Sequence, residues 1–407
     1  MAPPIIVLVA KGYQVPELPR AKQEAETLSQ AGYQVFVIAW DRYAEFPVLE
    51  NIGGVIVHSI RSVNLSSFSK AGLILGGLLF QVLMFLETMK LILELEQRPI
   101  IHAHDINTLP VACLLRRIHL CSGLVYDCRE FTYGVYYEWF NVLVASFVRV
   151  IEERLLRYVD TIITPSDSIA SYLRKFNQST EIIYNLPRLA DIPQVSKKEA
   201  RTVLGLPRDA FIISFVGGIR YGCMLDLLLA VASKSGGHGV HYVVVGEGPL
   251  ASDFRKAAKQ AINAPLTVMP RVPRETALLY VTSSDLTWSV YQHGPESLNE
   301  RVALGWKLFE SLACGVPVLV NADTLSAEFV TRFKCGIVFA GDNPDRMLQL
   351  ILDFAGNPGQ FREMSRAAKN VSNAMNLNWE AMGTKLLGIY RRVNEQGSLA
   401  DISGGRV

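Results

Sequence analysis

The chain has no excess of charge of either sign. Forty lysines and arginines stand against 38 aspartates and glutamates in 407 residues, a formal net charge of +2. Divided near residue 190, where the composition changes, the first part carries 17 basic and 18 acidic residues and the rest 23 and 20. Neither part has the basic surplus of a sequence-independent nucleic-acid binder, so no nucleic-acid partner is expected. The six cysteines (Cys113, Cys121, Cys128, Cys223, Cys314, Cys335) form no C-x-x-C pair. They read as free thiols in a reduced compartment, and a cytoplasmic location is expected. Met1-Ala-Pro-Pro runs straight into IIVLVA without a basic segment, so no secretory signal is expected. There is no D-x-D triplet, no G-x-S-x-G and no G-x-x-x-x-G-K-[ST]. A diphosphate-bound metal of the D-x-D type, a nucleophile elbow and a P-loop are therefore unsupported. Metal ligands and a cofactor are both expected to be absent.

Long hydrophobic runs are also scarce. Residues 71–86 (AGLILGGLLFQVLMFL) hold one polar residue, Gln81, but number 16, short of the roughly 20 that span a bilayer. A buried core helix is the first reading. A face presented to lipid by a monotopic enzyme is the second. What is abundant is apolar residue content, 50% hydrophobic with 19% charged, which rules out disorder for the bulk of the chain. At roughly 150 residues per domain the length implies two or three domains.

The first half alternates strands and helices. IIVLVA at 5–10 is a continuous apolar run, as in a strand buried on both faces. A helix through AKQEAETLSQAG follows and stops at Gly32. Further strands are predicted at 33–40, 54–60, 100–104, 123–130, 161–166 and 181–185, with helices at 69–96 and 146–160. Residues 188–210 are polar and proline-punctuated and read as a linker. The pattern then restarts, with strands at 211–218, 241–249, 265–272, 285–291, 316–322 and 336–340. Residues 397–407 read as a flexible tail. Two βα series imply an α/β protein of two Rossmann-like, doubly wound domains facing a central cleft. Ligands in such folds bind beyond the carboxyl ends of the strands, so residues just after strands are the candidates.

Four strand ends stand out. Gly12 follows the first strand, with Arg20 opening the next helix; a close backbone approach to an anion competes with a plain tight turn. His102-Ala-His104-Asp105 ends another strand. A metal would need a third ligand, and none lies nearby in sequence, so a polar residue facing the cleft is preferred. Gly217-Gly218-Ile219-Arg220 places two amides and a guanidinium where a phosphate could sit, although Gly-Gly also makes ordinary turns. Gly246-Glu247-Gly248-Pro249 repeats that arrangement. Lys307-Leu308-Phe309-Glu310 puts an acid at a helix start, where it also complements the helix dipole.

Together these strand ends resemble the family 4 retaining glycosyltransferases of GT-B fold. The most specific stretch is NERVALGWKLFESLACGVPVLV at 299–320, similar to the family pattern N-x-x-x-A-L-P-x-K-L-F-E-Y-M-A-x-G-x-P-V-I. It carries Asn299, Ala303, Leu304, Lys307, Leu308, Phe309, Glu310, Ala313, Gly315 and Pro317. LSQAGYQVFVIAW, IIHAHD, VYDCRE, ERLLRYVDTIITPSDSIASYL, FVGGIR and VVVGEGP follow in the family's order.

The resemblance implies a nucleotide-sugar donor, a glycan or lipid-linked acceptor, and a cell-surface polysaccharide or glycoconjugate as the product, made on the cytoplasmic side, with peripheral membrane contact left open. It implies that Glu310 takes ribose hydroxyls, that amides near Leu308 and Phe309 meet the diphosphate, and that Arg220 with Gly217 and Gly218 neutralises phosphate. It places the base near Arg271 and Val272, His104 against the sugar, and Gly12 beside the diphosphate. Domains are expected at 1–190 and 191–374, with a helix at about 375–396 returning to the first. Two departures stand out. Val302 occupies a position where many members carry an acid. Tyr221-Gly222-Cys223-Met224 lacks the lysine often paired with the phosphate arginine, so neutralisation falls to Arg220 and Lys307. An epimerase or phosphorylase on a related scaffold, or a nucleotide-sugar-binding subunit without turnover, are the competing readings.

Overall fold

The computed structural model describes residues 4–10, 19–61, 70–261, 263–292, 298–302, 304–373 and 375–404. The chain divides into two compact units, Met1–Tyr184 with Gly383–Val407, and Asn185–Met382. The break falls at 184/185, close to the boundary expected near 190.

The first unit is built on an eight-stranded sheet. Its elements in order are β1 Ile5–Val9, α1 Pro19–Gln30, β2 Val35–Asp41, β3 Leu49–Ile52, β4 Val55–Arg61, α2 Lys70–Glu94, β5 Ile100–His104, α3 Leu109–Arg117, β6 Gly123–Asp127, α4 Thr132–Trp139, α5 Val142–Leu155, β7 Thr161–Thr164, α6 Asp167–Leu173 and β8 Thr180–Ile182. The strand order is β3-β4-β2-β1-β5-β6-β7-β8. Only β3 runs antiparallel to its neighbour. The central strands β1, β2, β5 and β6 are buried at every residue. That is why β1 and most of β2 appear in the sequence as unbroken apolar runs and not as alternating patterns, while β5 and β6 bury polar groups near their ends. β3, α3, α4 and α6 are additions to the expected list. β3 alternates between exposed and half-buried residues and holds only one or two strong strand formers, so it carries little strand signal.

The second unit holds α7 Lys197–Leu204, β9 Phe211–Val216, α8 Leu225–Lys234, β10 Val240–Val245, α9 Ala251–Gln260, β11 Leu266–Met269, α10 Arg274–Thr282, β12 Leu286–Ser289, α11 Leu298–Val302, α12 Trp306–Ala313, β13 Val318–Asn321, α13 Leu325–Phe333, β14 Gly336–Phe339, α14 Pro344–Ala355 and α15 Pro358–Asn373. Its six strands are all parallel, in the order β11-β10-β9-β12-β13-β14. A core of Ile213, Phe215, Leu228, Tyr242, Val244 and Trp288 fills one face. The stretch read as a linker is not one throughout. Ser196 caps α7 and Glu199 returns to the Ser196 amide, a capping box that S-x-x-E spells out at 196–199.

The last helix, α16 Trp379–Gly404, starts in the second unit and continues in the first. It runs as helix to Gly404 over part of the tail expected from residue 397, and residues 405–407 of that tail lie outside the described residues. All six cysteines are unpaired.

Two glycines fix the strand ends of the second sheet. Gly217 (φ +146°) ends β9 and Gly246 (φ +157°) ends β10. A Cβ on Gly246 would lie 1.9 Å from the Gly217 carbonyl oxygen, and one on Gly217 would lie 2.5 Å from Cε of Lys307. Both positions therefore need glycine for space as well as for conformation. Gly246→Ala is expected to lower stability by roughly 1–3 kcal/mol, the usual cost of overpacking. A urea midpoint equal to that of wild type would show that the two turns can part without loss.

Candidate active site

In the second unit the strand-end residues gather around α12. Gly305 precedes the helix without a capping side chain, so the amides of its first turn are not taken up by a cap. Lys307, in that turn, lies against the Gly217 turn. Its Nζ stands 3.9 Å from the centroid of Phe215 and 5.5 Å from that of Tyr291. Gly218 and Arg220 are exposed just beyond β9. Leu308 and Phe309 are 1% and 2% exposed, so their side chains belong to the core and only their backbone could meet a ligand. Arg271 is exposed after β11, and Val272 packs against the cluster of Leu206, Ile212, Val243, Val245 and Tyr280. Gly12 lies outside the described residues.

Glu310 sits one helical turn beyond Lys307, with its side chain 17% exposed. Its Oε1 accepts a hydrogen bond from Nη1 of Arg274 at 2.6 Å. Arg274 opens α10, approaches Asp191 Oδ2 at 3.8 Å, and stands 5.6 Å from the Trp306 ring centroid. Burial pushes the Glu310 carboxyl upward, while Arg274 and Lys307 pull it back toward ionisation.

The first unit holds a second constellation at the ends of β5 and β6. Arg20 and Glu24 from α1, His102 and His104 from β5, and Asp127 from β6 are each no more than 1% exposed. Arg20 Nε donates to Asp127 Oδ2 at 2.7 Å and lies 3.1 Å from Glu24 Oε1. A further nitrogen of its guanidinium donates to the Ile183 carbonyl. His104 Nε2 lies 3.2 Å from Glu24 Oε2, and Nδ1 lies 3.1 Å from Asp127 Oδ2. Both contacts are within ion-pair distance. The two imidazoles stack at 4.4 Å, and His102 Nδ1 pairs with the hydroxyl of Tyr390 from α16.

His104 is thus enclosed between carboxylates, which differs from the ligand-facing ring expected of it. His102 is enclosed as well. Burial disfavours a proton on His104, but bonding to Asp127 and Glu24 outweighs it and raises the pKa to about 9. Burial, reinforced by the charge on His104, drives His102 well below its usual value. Asp127 resists burial through Arg20 and His104 and stays well below the ordinary carboxylate range.

Glu24, His102, His104 and Asp127 bring four ligating atoms within 4.8 Å of one another. The third and fourth ligands that sequence proximity failed to supply are therefore present in space. Yet the set does not suit a metal. The Arg20 guanidinium already stands where a cation would balance the carboxylates, and a protonated His104 offers donors, not lone pairs. The charges of Arg20 and His104 offset that of Asp127, while burial and the Asp127 charge push the Glu24 carboxyl upward against the pull of Arg20 and His104.

Above this cluster, Asp105 adopts a left-handed conformation (φ +63°). It pairs in bidentate fashion with Arg129, with Nε at 3.0 Å from Oδ1. Glu152 of α5 accepts from Tyr126, Thr132 and Cys128 and fixes the loop that carries Arg129. Sequence reasoning passed over Glu24, Asp127, Arg129, Glu152, Arg274 and Tyr390 as site residues. Only the charged tail of VYDCRE, at a strand end, gave a signal for two of them.

Residues 20–186 match the family described as Glycosyltransferase Family 4, and residues 196–371 that described as Glycosyl transferases group 1. The chain is 30% identical over 228 residues to D-inositol 3-phosphate glycosyltransferase of Mycobacterium tuberculosis. That match covers 52% of this chain and spans 43% of the length of that relative. Among solved structures, sucrose-phosphate synthase from Thermosynechococcus elongatus has a TM-score of 0.78 at 18% identity, covering 96% of this chain and 99% of that one. HepE of Anabaena, in complex with UDP, gives 0.70 at 14% identity, with 96% and 100% covered. WaaG, a glycosyltransferase involved in lipopolysaccharide biosynthesis, gives 0.68 at 15%, with 95% and 99% covered. At these identities the solved structures establish the fold alone.

The buried cluster makes stability depend on pH in a stated direction. A histidine raised from 6.5 to about 9 on folding contributes stability that is full below about 6.5 and is lost as pH rises through about 9. The melting temperature is expected to fall across that interval, and His104→Gln is expected to flatten the fall. The groups facing His104 are Arg20, Glu24, His102 and Asp127, and only the two histidines have their ordinary pKa near this interval. An undiminished slope in His104→Gln would assign the effect elsewhere.

Proposed function

We propose that this chain, which belongs to the family 4-type glycosyltransferases of GT-B fold, moves a sugar from a nucleotide-sugar donor to a glycan or lipid-linked acceptor, with retained configuration and no resident metal or cofactor. The observation that carries the donor reading is the placing of Lys307 and Glu310 one turn apart on α12, beside the Gly217 turn. A cation and open first-turn amides suit a diphosphate, and a largely buried carboxylate suits a ribose diol. The UDP bound to the structurally similar HepE supports a nucleotide here.

In this reading Glu310 accepts hydrogen bonds from the ribose hydroxyls. Lys307, Arg220 and the amides near Leu308 and Phe309, with Gly217 and Gly218, take up charge on the leaving diphosphate, and the base lies by Arg271 and Val272. The bond from the anomeric carbon to the phosphate oxygen breaks. A bond to the acceptor oxygen forms on the same face, and the acceptor proton passes to the departing phosphate oxygen. Donors aimed at the developing charge supply the main stabilisation, and no carboxylate nucleophile is required. His104 acts by holding Asp127 and Glu24, not by meeting the sugar.

Glu310→Gln is expected to weaken nucleoside diphosphate binding by about 1.5–3 kcal/mol, the worth of a charged hydrogen bond. Turnover of donor with acceptor, as against binding alone, is expected, and it is expected to persist in EDTA. Equal affinity in the variant would remove Glu310 from the site, and loss of turnover in EDTA restored by manganese would overturn the metal-free reading.

A lipid-linked acceptor in cell-surface glycoconjugate synthesis is supported by an apolar surface on the first unit. Trp139, Val142, Leu143 and Phe147 are exposed by 50–77% where α4 meets α5. Leu143, Phe147, Val150 and Arg154 share one face of α5 at helical spacing, so the stripe ends in a cation, with Arg157 exposed just beyond. On α2, Leu78, Val82 and Leu86 are 55–60% exposed around Gln81. Asn107 joins the two regions, its carbonyl accepting from Gln81 and its side chain from Tyr136 of α4. Gly76–Glu94 of α2 is long and apolar enough to cross a membrane, and a third of its most apolar stretch is buried. The reading is peripheral contact with an anionic leaflet at the inner membrane face. Leu143→Asp with Phe147→Asp is expected to abolish flotation with phosphatidylglycerol vesicles while leaving nucleotide affinity intact. Flotation equal to wild type would discard this surface.

A further inference from the structure

The Glu310 carboxylate is not waiting empty-handed. Arg274 holds Oε1, and among the described residues the other oxygen has no hydrogen bond. Arg274 is in turn steadied by Asp191 and lies near the face of Trp306. The three charged groups come from separate segments: the short 3₁₀ turn Leu189–Asp191, the start of α10, and α12. They form a chain, acid to base to acid, within the second unit. A side chain that serves only solubility would not be fixed from two sides, with its guanidinium 2.6 Å from the carboxylate that nucleotide binding needs.

We propose that Arg274 is a positioning residue for diol recognition: it fixes the Glu310 carboxylate by one oxygen and leaves the other for the vicinal hydroxyls of a nucleotide. This rests on the reading of Glu310 as the diol acceptor and extends it to a residue on a different helix. Geometry gives the first reason. A glutamate side chain has three rotatable bonds, and anchoring one oxygen removes most of the ordering that the ligand would otherwise impose. Charge gives the second. Burial already biases Glu310 toward its protonated form, and Asp191 adds to that bias, while Arg274 and Lys307 oppose it. With Arg274 gone, only Lys307 opposes it, and the carboxyl titrates higher. A protonated Glu310 presents one acceptor fewer to a diol. Affinity in an arginine-less variant should therefore fall as pH falls, and return as pH rises. Cys314 also faces Glu310, but burial raises its thiol to about 12, so it stays uncharged across this range.

The test is calorimetric titration with UDP, ADP and GDP, each against its 2′,3′-dideoxy counterpart, at pH values from 6 to 8.5. Four proteins are compared: wild type, Arg274→Gln, Arg274→Lys and Glu310→Gln. Wild type is expected to prefer the ribonucleotide with little pH dependence. Arg274→Gln is expected to lose about tenfold in ribonucleotide affinity at pH 7 and to regain it toward pH 8.5, with dideoxynucleotide affinity unchanged. Arg274→Lys, which keeps the charge, is expected to lose less than threefold and covers the case in which the glutamine variant folds poorly. Glu310→Gln is expected to lose the ribose preference at every pH. If Glu310→Gln loses it while both Arg274 variants match wild type at all pH values, Arg274 has no positioning role and the diol reading stands. If Glu310→Gln keeps the preference, or if wild type binds none of the three nucleotides, the donor site itself is misplaced and the role of Arg274 falls with it. Equal losses for ribose and dideoxy forms in Arg274→Gln would show a general effect on the fold of α10 and would also overturn the proposal.

Discussion

Arg20 is 1% exposed, and taking its guanidinium out of water costs more than any one contact returns unless countercharges meet it. Asp127 and Glu24 supply them, from the end of β6 and from the next turn of α1. Two buried carboxylates then need a second positive charge, and His104 holds one. His102, stacked on that charged ring, must stay neutral, and its Nδ1 is engaged by Tyr390 from the last helix. One buried cation thus dictates the protonation of two histidines and ties α1, β5, β6 and α16 together. The energy of such a network is close to balance, but its removal piecemeal is costly, because each deletion strands the charge opposite.

The second unit solves a different problem. The diphosphate proposed for it would need backbone amides near strand ends, where side chains would block the approach. Gly217 and Gly246 meet this by packing main chain on main chain, and the space saved is filled by the stem of Lys307. Aromatic faces of Phe215 and Tyr291 steady its ammonium. The charge is held beside the Gly217 turn.

Much of the fold could be read from the sequence because parallel strands buried on both faces are continuous apolar runs: IIVLV, VFVIA and VHYVVV announce β1, β2 and β10. β3, with LENI half in solvent, gave no such signal, and α7 was hidden by the prolines around it despite its capping box. The site was legible where chemistry sits in one short stretch, as in Lys307 to Glu310. It was not legible where partners come from distant segments. Arg274 and Glu310 are 36 residues apart, Arg20 and Asp127 107, and His102 and Tyr390 288. The burial of His104 was missed for the same reason: a strand-end histidine looks ligand-facing until the carboxylate from α1 and the one from the next strand enclose it.

The outermost strands of both sheets are short: β3 and β8 have four and three residues, β11 and β14 four each. Between them β1, β2, β4 and β10 run to five to seven residues made largely of apolar or β-branched side chains. Those inner strands are the kind of segment that stacks into cross-β fibres when left unpaired. Capping each sheet with a strand too brief to offer a full ladder leaves little template for another chain to extend. Resistance to edge-to-edge pairing at high concentration therefore rests in part on four short strands. Lengthening one of them would leave the folded monomer intact and endanger the population.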